Sequence, residues 1–248
     1  MTRPDLRLEG VVLHSTDIDR LRSFYRALLA KEFMEEQHGK GPRHYACGLQ
    51  GDKLLELYPS KMAVTPVSPS LMFRVPQVEE VKSRMGKYFG RVVKALGTAV
   101  TECHDSDGRN IYLHQDENQE EILLEEVIIH SPNIEHLKSF YQALFQEKVT
   151  ESQHGEAKSH IFGQHRMKLK LHYSKKNVVP ASPTLLFRTS RLEEITKKMK
   201  GEENKNASVL HAQGIKLYDP DGRKIILSQE RAEPSWVDQL YECFIGKR

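Results

Sequence analysis

Apolar strand-like segments and amphipathic helices alternate along the chain. The run Val11–His14 is short and apolar, which predicts a buried strand. Asp17 can cap the helix that follows, because a short polar side chain at this position accepts a hydrogen bond from the first turn. The apolar positions of this helix recur every three or four residues and are Ile18, Leu21, Phe24, Tyr25 and Leu28. Two further strands are predicted over Leu54–Tyr58 and Leu71–Val75.

The same pattern occurs again in the second half of the chain. LEGVVLHSTDIDRLRSFY at residues 8–25 matches LEEVIIHSPNIEHLKSFY at residues 124–141, so Asn133 takes the capping place of Asp17. This offset of 116 residues carries His44 onto His160, and an offset of 114 carries Arg74 onto Arg188 further along. A match over most of both halves indicates a tandem duplication.

Each copy contains two strand–helix–strands units of about fifty residues, which predicts an α+β protein with helices packed outside curved sheets. The second helices are predicted on Val78, Val81 and Met85, and on Leu192, Ile195 and Met199. Asp105-Ser-Asp-Gly and Asp219-Pro-Asp-Gly are turn signals that precede the closing strands Ile111–His114 and Ile225–Ser228. The predicted organisation is a first domain at 8–115, a linker at 116–123, a second domain at 124–229 and a helical tail at 230–248.

Composition narrows the class of function. The chain of 248 residues has 37 basic and 34 acidic residues, a near balance that gives no argument for binding nucleic acid or an anionic membrane. No apolar stretch approaches the ~20 residues that span a bilayer. The cysteines, Cys47, Cys103 and Cys243, are odd in number and widely spaced, so we expect no disulfide framework and a cytoplasmic protein.

Three local patterns resemble the vicinal oxygen chelate superfamily, which includes glyoxalases, extradiol dioxygenases and bleomycin-resistance proteins. They are the strand followed by the Asp17–Tyr25 helix, the strand motif Leu55-Glu56-Leu57, and the ending Asp219–Leu227. The resemblance spans residues 8–115 and 124–229. It implies four βαβββ units that form two glyoxalase-like domains of curved mixed sheets.

The resemblance also implies where a divalent metal would be held. In the first copy the four ligand positions carry Gly10, Glu56, Ser70 and Tyr112; in the second they carry Glu126, Lys170, Thr184 and Ile226. Only Glu56 and Glu126 are competent ligands, whereas a catalytic site needs about three protein ligands. We therefore expect no family-type metal site, no cofactor and no catalytic residue of the family type.

The clefts of such a fold would instead be lined by polar side chains that could bind a small polar or anionic ligand. The candidates are His14, Glu56, Arg74, Tyr112, His114, Glu126, His130, Lys170 and Arg188. Arg74 and Arg188 could hold a carboxylate or phosphate, or could serve a structural role. Lys170 and Glu126 are expected to form a partly buried ion pair.

Other candidates have structural interpretations as well. His14 and His130 are expected to hydrogen-bond the backbone of the next helix rather than to act as acid or base. His38 and His154 lie in Gln-His-Gly turns, where the glycine suggests a positive φ. In the tail, Ser235 can cap a helix that carries Trp236, either as core or as a docking element for a partner.

The favoured function is therefore a small-molecule-binding or scaffold protein, monomeric or homodimeric, with a degenerate metal site and no catalysis. The first alternative is a metal-dependent glyoxalase-like lyase, isomerase or dioxygenase that uses relocated ligands. The second alternative is a protein-interaction module.

Overall fold

The structure is a computed structural model. It describes residues 6–37, 39–51, 53–62, 69–86, 92–96, 99–146, 149–154, 157–163, 167–175, 183–201, 208–210 and 214–230. The predicted C-terminal helix and His38 lie outside these residues, and His154 lies within them only as backbone.

The chain forms four units with the order strand, helix, three strands. Unit 1 consists of β1 (Arg7–Ser15), α1 (Ile18–Leu29), β2 (Met34–Glu36), β3 (His44–Leu49) and β4 (Lys53–Pro59). Unit 2 consists of β5 (Ser70–Val75), α2 (Val78–Met85), β6 (Val92–Leu96), β7 (Val100–His104) and β8 (Asn110–Gln115). The helices and strands predicted from the hydrophobic pattern are confirmed in both units.

The second copy repeats this order. Unit 3 consists of β9 (Leu123–Ser131), α3 (Ile134–Phe145), β10 (Thr150–His154), β11 (Ala157–Phe162) and β12 (Lys168–Tyr173). Unit 4 consists of β13 (Thr184–Thr189), α4 (Leu192–Gly201), β14 (Ser208–Leu210), β15 (Gly214–Tyr218) and β16 (Lys224–Gln229).

The two sheets do not follow the two copies. Sheet 1 has the order β14-β15-β16-β13-β1-β4-β3-β2 and therefore joins unit 4 to unit 1. Sheet 2 has the order β10-β11-β12-β9-β5-β8-β7-β6 and joins unit 3 to unit 2. The joining pairs, β1 with β13 and β5 with β9, are antiparallel. Each sheet thus takes half of its strands from each copy.

One hydrophobic core covers one face of each sheet. It contains the apolar stripes of the helices, such as Leu21 and Tyr25 of α1 and Leu137 and Tyr141 of α3. Every second residue of the central strands packs into the same core, for example Val11 and Leu13 on β1, as expected for strands with one face buried. The opposite face of each sheet is therefore the one available for function.

Two buried arginine clusters connect units that share no sheet. Arg109 donates to the Asp105 Oδ2 at 2.8 Å and to the carbonyl oxygen of His14, and the Tyr25 hydroxyl donates to the same Asp105 Oδ2 at 3.1 Å. The second copy repeats the cluster with Arg223, Asp219, His130 and Tyr141. The Asp-x-x-Gly-Arg turns therefore hold each copy together, whereas the sheets join one copy to the other.

The helix starts differ between the copies. The Asp17 side chain accepts a hydrogen bond of 3.0 Å from the Arg20 amide, which confirms the predicted cap. Asn133 occupies the same position but makes no side-chain cap hydrogen bond, so that prediction was wrong in its detail. Ser131 instead accepts from the Asn133 amide at 3.0 Å, as Ser15 does from Asp17.

No helix of the described part of the chain is long and apolar enough to cross a membrane. Cys47 and Cys103 are buried free thiols, and burial raises the pKa of Cys47 to about 11.

Candidate functional site: two sheet faces

We call the face of sheet 1 that the helices leave uncovered face 1, and the corresponding face of sheet 2 face 2. Strand alternation assigns the central residues of face 1, which are Gly10, Val12, His14, Leu54, Glu56, Tyr58, Thr184, Leu186, Arg188, Lys224, Ile226 and Ser228. The equivalent residues of face 2 are Glu126, Ile128, His130, Lys168, Lys170, His172, Ser70, Met72, Arg74, Asn110, Tyr112 and His114. Glu56 and Glu126 therefore lie on different sheets.

Face 1 is closed by apolar side chains. Val12, Leu54, Leu186 and Ile226 form a second hydrophobic cluster together with Ala46 and Tyr58, and each is at most 8% exposed. Gly10 lies against this cluster. A Cβ atom built there would come within 2.9 Å of the Leu186 Cδ1 and 3.0 Å of the Leu54 carbonyl oxygen. The ligand position at residue 10 therefore has no room for a side chain.

The Glu56 carboxyl is enclosed in face 1. The residue is 1% exposed, and its Oε2 has no hydrogen-bond partner in the described part of the chain. Burial raises the pKa of Glu56 to about 8; the neighbouring Glu36 adds to this rise and Lys224 opposes it. The carboxyl is therefore mostly protonated at neutral pH. Nearby, the rings of His44 and Tyr58 stack with centroids 4.2 Å apart.

Face 2 is polar and partly open to solvent at equivalent positions. Lys168, Met72 and Tyr112 are partly exposed where face 1 has the buried Leu54, Leu186 and Ile226. The two faces have therefore diverged after the duplication, and at these three positions face 2 is partly exposed where face 1 is buried and aliphatic.

Lys170 and Glu126 form the expected ion pair at the centre of face 2. The Lys170 Nζ lies 3.6 Å from the Glu126 Oε2, and the two side chains are 14% and 9% exposed. Both residues occupy positions at which the resemblance implies metal ligands. An ammonium group at one of these positions repels a cation.

Each arginine candidate is bound by a glutamate from a bulge in the neighbouring strand. The register of β1 shifts between Leu8 and Gly10, and this bulge places Glu9 with its Oε2 2.9 Å from the Arg188 Nε. On face 2, Arg74 pairs with Glu125 and lies 3.2 Å from Asp116. Burial opposes ionisation of Glu125, but Arg74, Lys168 and His114 outweigh it and hold its pKa below the usual value. Each arginine is thus already paired with a carboxylate.

Among the described residues, the strand-end histidines bond hydroxyl groups of a neighbouring strand and not the next helix, so the predicted partner was wrong. The His130 Nε2 lies 2.9 Å from the Ser70 Oγ, and the His14 Nε2 lies 3.4 Å from the Thr184 Oγ1. Both bonds cross the junction between units within a sheet. Burial lowers the pKa of each histidine to about 4, so each imidazole is neutral at pH 7. The serine hydroxyls described above serve the helix starts instead.

His44 and His160 align at the sequence offset of 116 but do not occupy equivalent positions in the structure. His160 pairs with Leu171 and faces the helix side, where its Nε2 lies 3.7 Å from Glu135. Tyr45 takes the equivalent place in unit 1, since it pairs with Leu57 and donates to Asp19. His44 therefore belongs to face 1 and has no histidine counterpart on face 2.

Similarity to solved structures follows this architecture. Glyoxalase I from Zea mays superposes with a TM-score of 0.72 over 97% of this chain and 96% of that one, at 16% identity. A proposed dioxygenase from Bacillus subtilis superposes with a TM-score of 0.72 over 100% of this chain and 92% of that one, at 10% identity. The chain has the vicinal oxygen chelate fold. CppA from Streptococcus pneumoniae is a more distant match, with a TM-score of 0.55, 10% identity, and coverage of 92% of this chain and 100% of that one.

At these identities the vicinal oxygen chelate fold is shared, and its many chemistries do not transfer with it. No known family profile matches the sequence, and no curated protein does either.

The predicted site residues divide between the two faces. Face 1 holds His14, Glu56 and Arg188, and face 2 holds Arg74, Tyr112, His114, Glu126, His130 and Lys170. Within the described ranges, no group of three or more His, Cys, Asp or Glu side chains could hold a metal ion. Glu9 and Glu125 were not predicted as site residues. Their one sequence signal is a charged side chain directly before Gly10 and Glu126, the positions that point to the sheet face that the helices leave uncovered. The pairing of Ser70 with His130 was not predicted either.

Proposed function

We propose that this protein is a non-catalytic small-molecule-binding protein whose family-type metal site has been lost, with face 2 as the binding surface. The observation that carries this proposal is the Lys170–Glu126 pair, in which an ammonium group lies 3.6 Å from the carboxylate at a ligand position. Binding a divalent ion there would require expelling or neutralising a partly buried lysine.

The state of the other ligand positions supports the same conclusion. Ser70 and Tyr112 are weak neutral ligands beside that lysine, so the four family-type ligand positions on face 2 contribute a single strong ligand, Glu126. On face 1, Glu56 is enclosed by an apolar cluster, and Gly10 lacks space for a replacement ligand. A metal-dependent lyase, isomerase or dioxygenase would therefore need ligands from elsewhere in the chain.

The contrast between the two faces favours ligand binding over a closed scaffold. Partly exposed polar groups line face 2, and small-molecule sites use a few convergent polar groups to orient the ligand. Face 1 serves the fold, because its centre is packed with buried aliphatic side chains.

Native mass spectrometry of the purified full chain, with elemental analysis of the same sample, tests this proposal. We expect no stoichiometric Zn, Ni, Fe or Mn, even after incubation with each ion, and a monomer or homodimer that carries or accepts a small polar molecule. Lys170→Met should weaken that binding, whereas Lys82→Met, in an exposed pair on α2, should not.

A tightly held metal ion at one per chain would overturn the proposal in favour of an enzyme. Failure to bind any small molecule, together with a stable complex with another protein, would instead favour the interaction module.

A further inference from the structure

We infer that face 2 binds a small zwitterion, a molecule that carries one ammonium and one carboxylate group as amino acids do. The inference rests on the proposed function, because it names the class of ligand for the same surface. It depends on how charges of both signs are distributed over face 2.

The charged groups of face 2 come close to cancelling. The cations are Lys168, Lys170 and Arg74, and the anions are Glu125, Glu126 and Asp116. Two further titratable groups, Glu102 and His114, lie at the margin beside Tyr112 and Arg74. A ligand with a large net charge would be repelled by those groups of face 2 that carry the same sign. A ligand that is neutral overall, with one charge of each sign at its two ends, can place each end beside groups of opposite charge.

The central pair offers one group of each sign to such a ligand. The separation of 3.6 Å between the Lys170 Nζ and the Glu126 Oε2 exceeds hydrogen-bond length. Glu126 is 7% exposed, and its Oε2 has no hydrogen-bond partner among the described residues. A buried acceptor without a donor is costly, and a ligand ammonium supplies the missing donor. The Lys170 ammonium, with Lys168 beside it in β12, can then hold the ligand carboxylate.

The groups around this pair suit a small aliphatic skeleton. Ile128 is 5% exposed next to Glu126, and Met72 faces the same surface from β5. The Ser70–His130 pair is neutral at pH 7, because burial lowers the pKa of His130 to about 4. It therefore adds hydrogen bonding without adding charge.

Isothermal titration of the full chain with a matched set of compounds tests the inference. The set contains the standard amino acids, their N-acetyl derivatives, their carboxamides, succinate and putrescine. We expect at least one amino acid to bind, and blocking either end should weaken binding about tenfold or more, as for the loss of a charged hydrogen bond.

Two variants assign the ends of the ligand. Glu126→Gln should bind the amino acid and its N-acetyl derivative with similar, weakened affinity, because the partner of the ammonium is altered. Lys170→Met should lose the preference for the free carboxylate over the carboxamide. Glu79→Gln and Lys82→Met, which alter an exposed pair of the same two residue types on α2, should behave as the unmodified protein. The melting temperature of each variant shows whether it has folded.

Two outcomes would overturn the zwitterion while leaving the proposed function intact. In the first, the N-acetyl derivatives and carboxamides bind as tightly as the free amino acids. In the second, succinate or putrescine binds and the amino acids do not. Absence of any binding from the whole set also overturns the zwitterion, whereas the native mass spectrometry above, which reports both metal and any other small molecule, decides separately whether the proposed function fails.

Discussion

Arg223, in the turn before β16, donates a hydrogen bond of 2.7 Å to the carbonyl oxygen of His130 in β9, and this contact joins units whose strands lie in different sheets. The arginine side chain is 0% exposed and also pairs with Asp219 at 2.9 Å. The same contact recurs between Arg109 and His14. Since the sheets already join unit 1 to unit 4 and unit 2 to unit 3, these clusters close the ring of four units.

Removing either arginine should therefore destabilise the whole chain. Arg223→Met leaves the buried Asp219 without its cation, and loss of one partner from a buried pair costs roughly 3–5 kcal/mol. Urea unfolding followed by circular dichroism measures this loss. Arg26→Met is the control, because Arg26 pairs with Glu32 at the surface and should cost less than about 1 kcal/mol. An equally small loss for Arg223→Met would contradict the role of the cluster.

Arg188 is expected to act through stability rather than ligand binding. Its Nε lies 2.9 Å from Glu9, and the two side chains are 14% and 11% exposed. Arg188→Met should therefore lower the free energy of unfolding by about 2 kcal/mol or more and leave ligand affinity unchanged.

A double-mutant cycle between Arg188→Met and Glu9→Gln isolates this interaction. The double variant should lose less stability than the two single changes added together. If the stability losses of the two single variants simply add and Arg188→Met also loses ligand affinity, Arg188 has a binding role instead.

The faces of the strands follow from sequence, because side-chain direction alternates with a period of two. The neighbours predicted to share a strand face with Glu56, Lys170 and Arg74 do so in the structure. The partner of Arg74 was not, since Glu125 reaches this face only through a bulge, which adds one residue without changing the hydrophobic pattern. The same limit applies to Glu9.

The pairing of the units had no sequence signal. The central strand β1 could pair with β5 of its own copy or with β13 of the other, because both begin with similar apolar alternation. Local deletions also obscure the repeat. His44 and His160 align in the two sequences, but His160 pairs with Leu171, and Tyr45, not His44, pairs with the equivalent residue Leu57. The domain limits at 8–115 and 124–229 mark the two copies of the sequence repeat and remain a prediction. They do not coincide with the two sheets, because each sheet combines strands of both copies.

Gly10 provides a direct test of the closed state of face 1. A Cβ atom at this position meets the Leu54 carbonyl oxygen at 3.0 Å and Leu186 at 2.9 Å, so Gly10→Ala should destabilise the protein by roughly 1–3 kcal/mol. Gly48→Ala is the matched control on the same sheet, because a Cβ atom there has nothing within 4 Å. Alanine should be neutral or slightly favourable at that site. Equal tolerance of both changes would mean that face 1 is open.

Glu56 should make the protein less stable in alkaline solution. Its pKa is raised from 4.5 to about 8 by burial, so the folded state keeps a proton that the unfolded state releases above pH 4.5. The free energy of unfolding should therefore fall as pH rises from about 5 to 8, by up to ~1.4 kcal/mol per pH unit, and level off above that.

Glu56→Gln removes this titration and keeps the side-chain shape, so the variant should gain stability relative to the unmodified protein as pH increases. Urea unfolding of both proteins between pH 5 and pH 9 measures the difference. Glu79→Gln on the exposed face of α2 is the control, and its effect should not vary over this range. Parallel curves for the unmodified protein and Glu56→Gln would mean that Glu56 is ionised in the folded state, with a cation or water held against its buried oxygen.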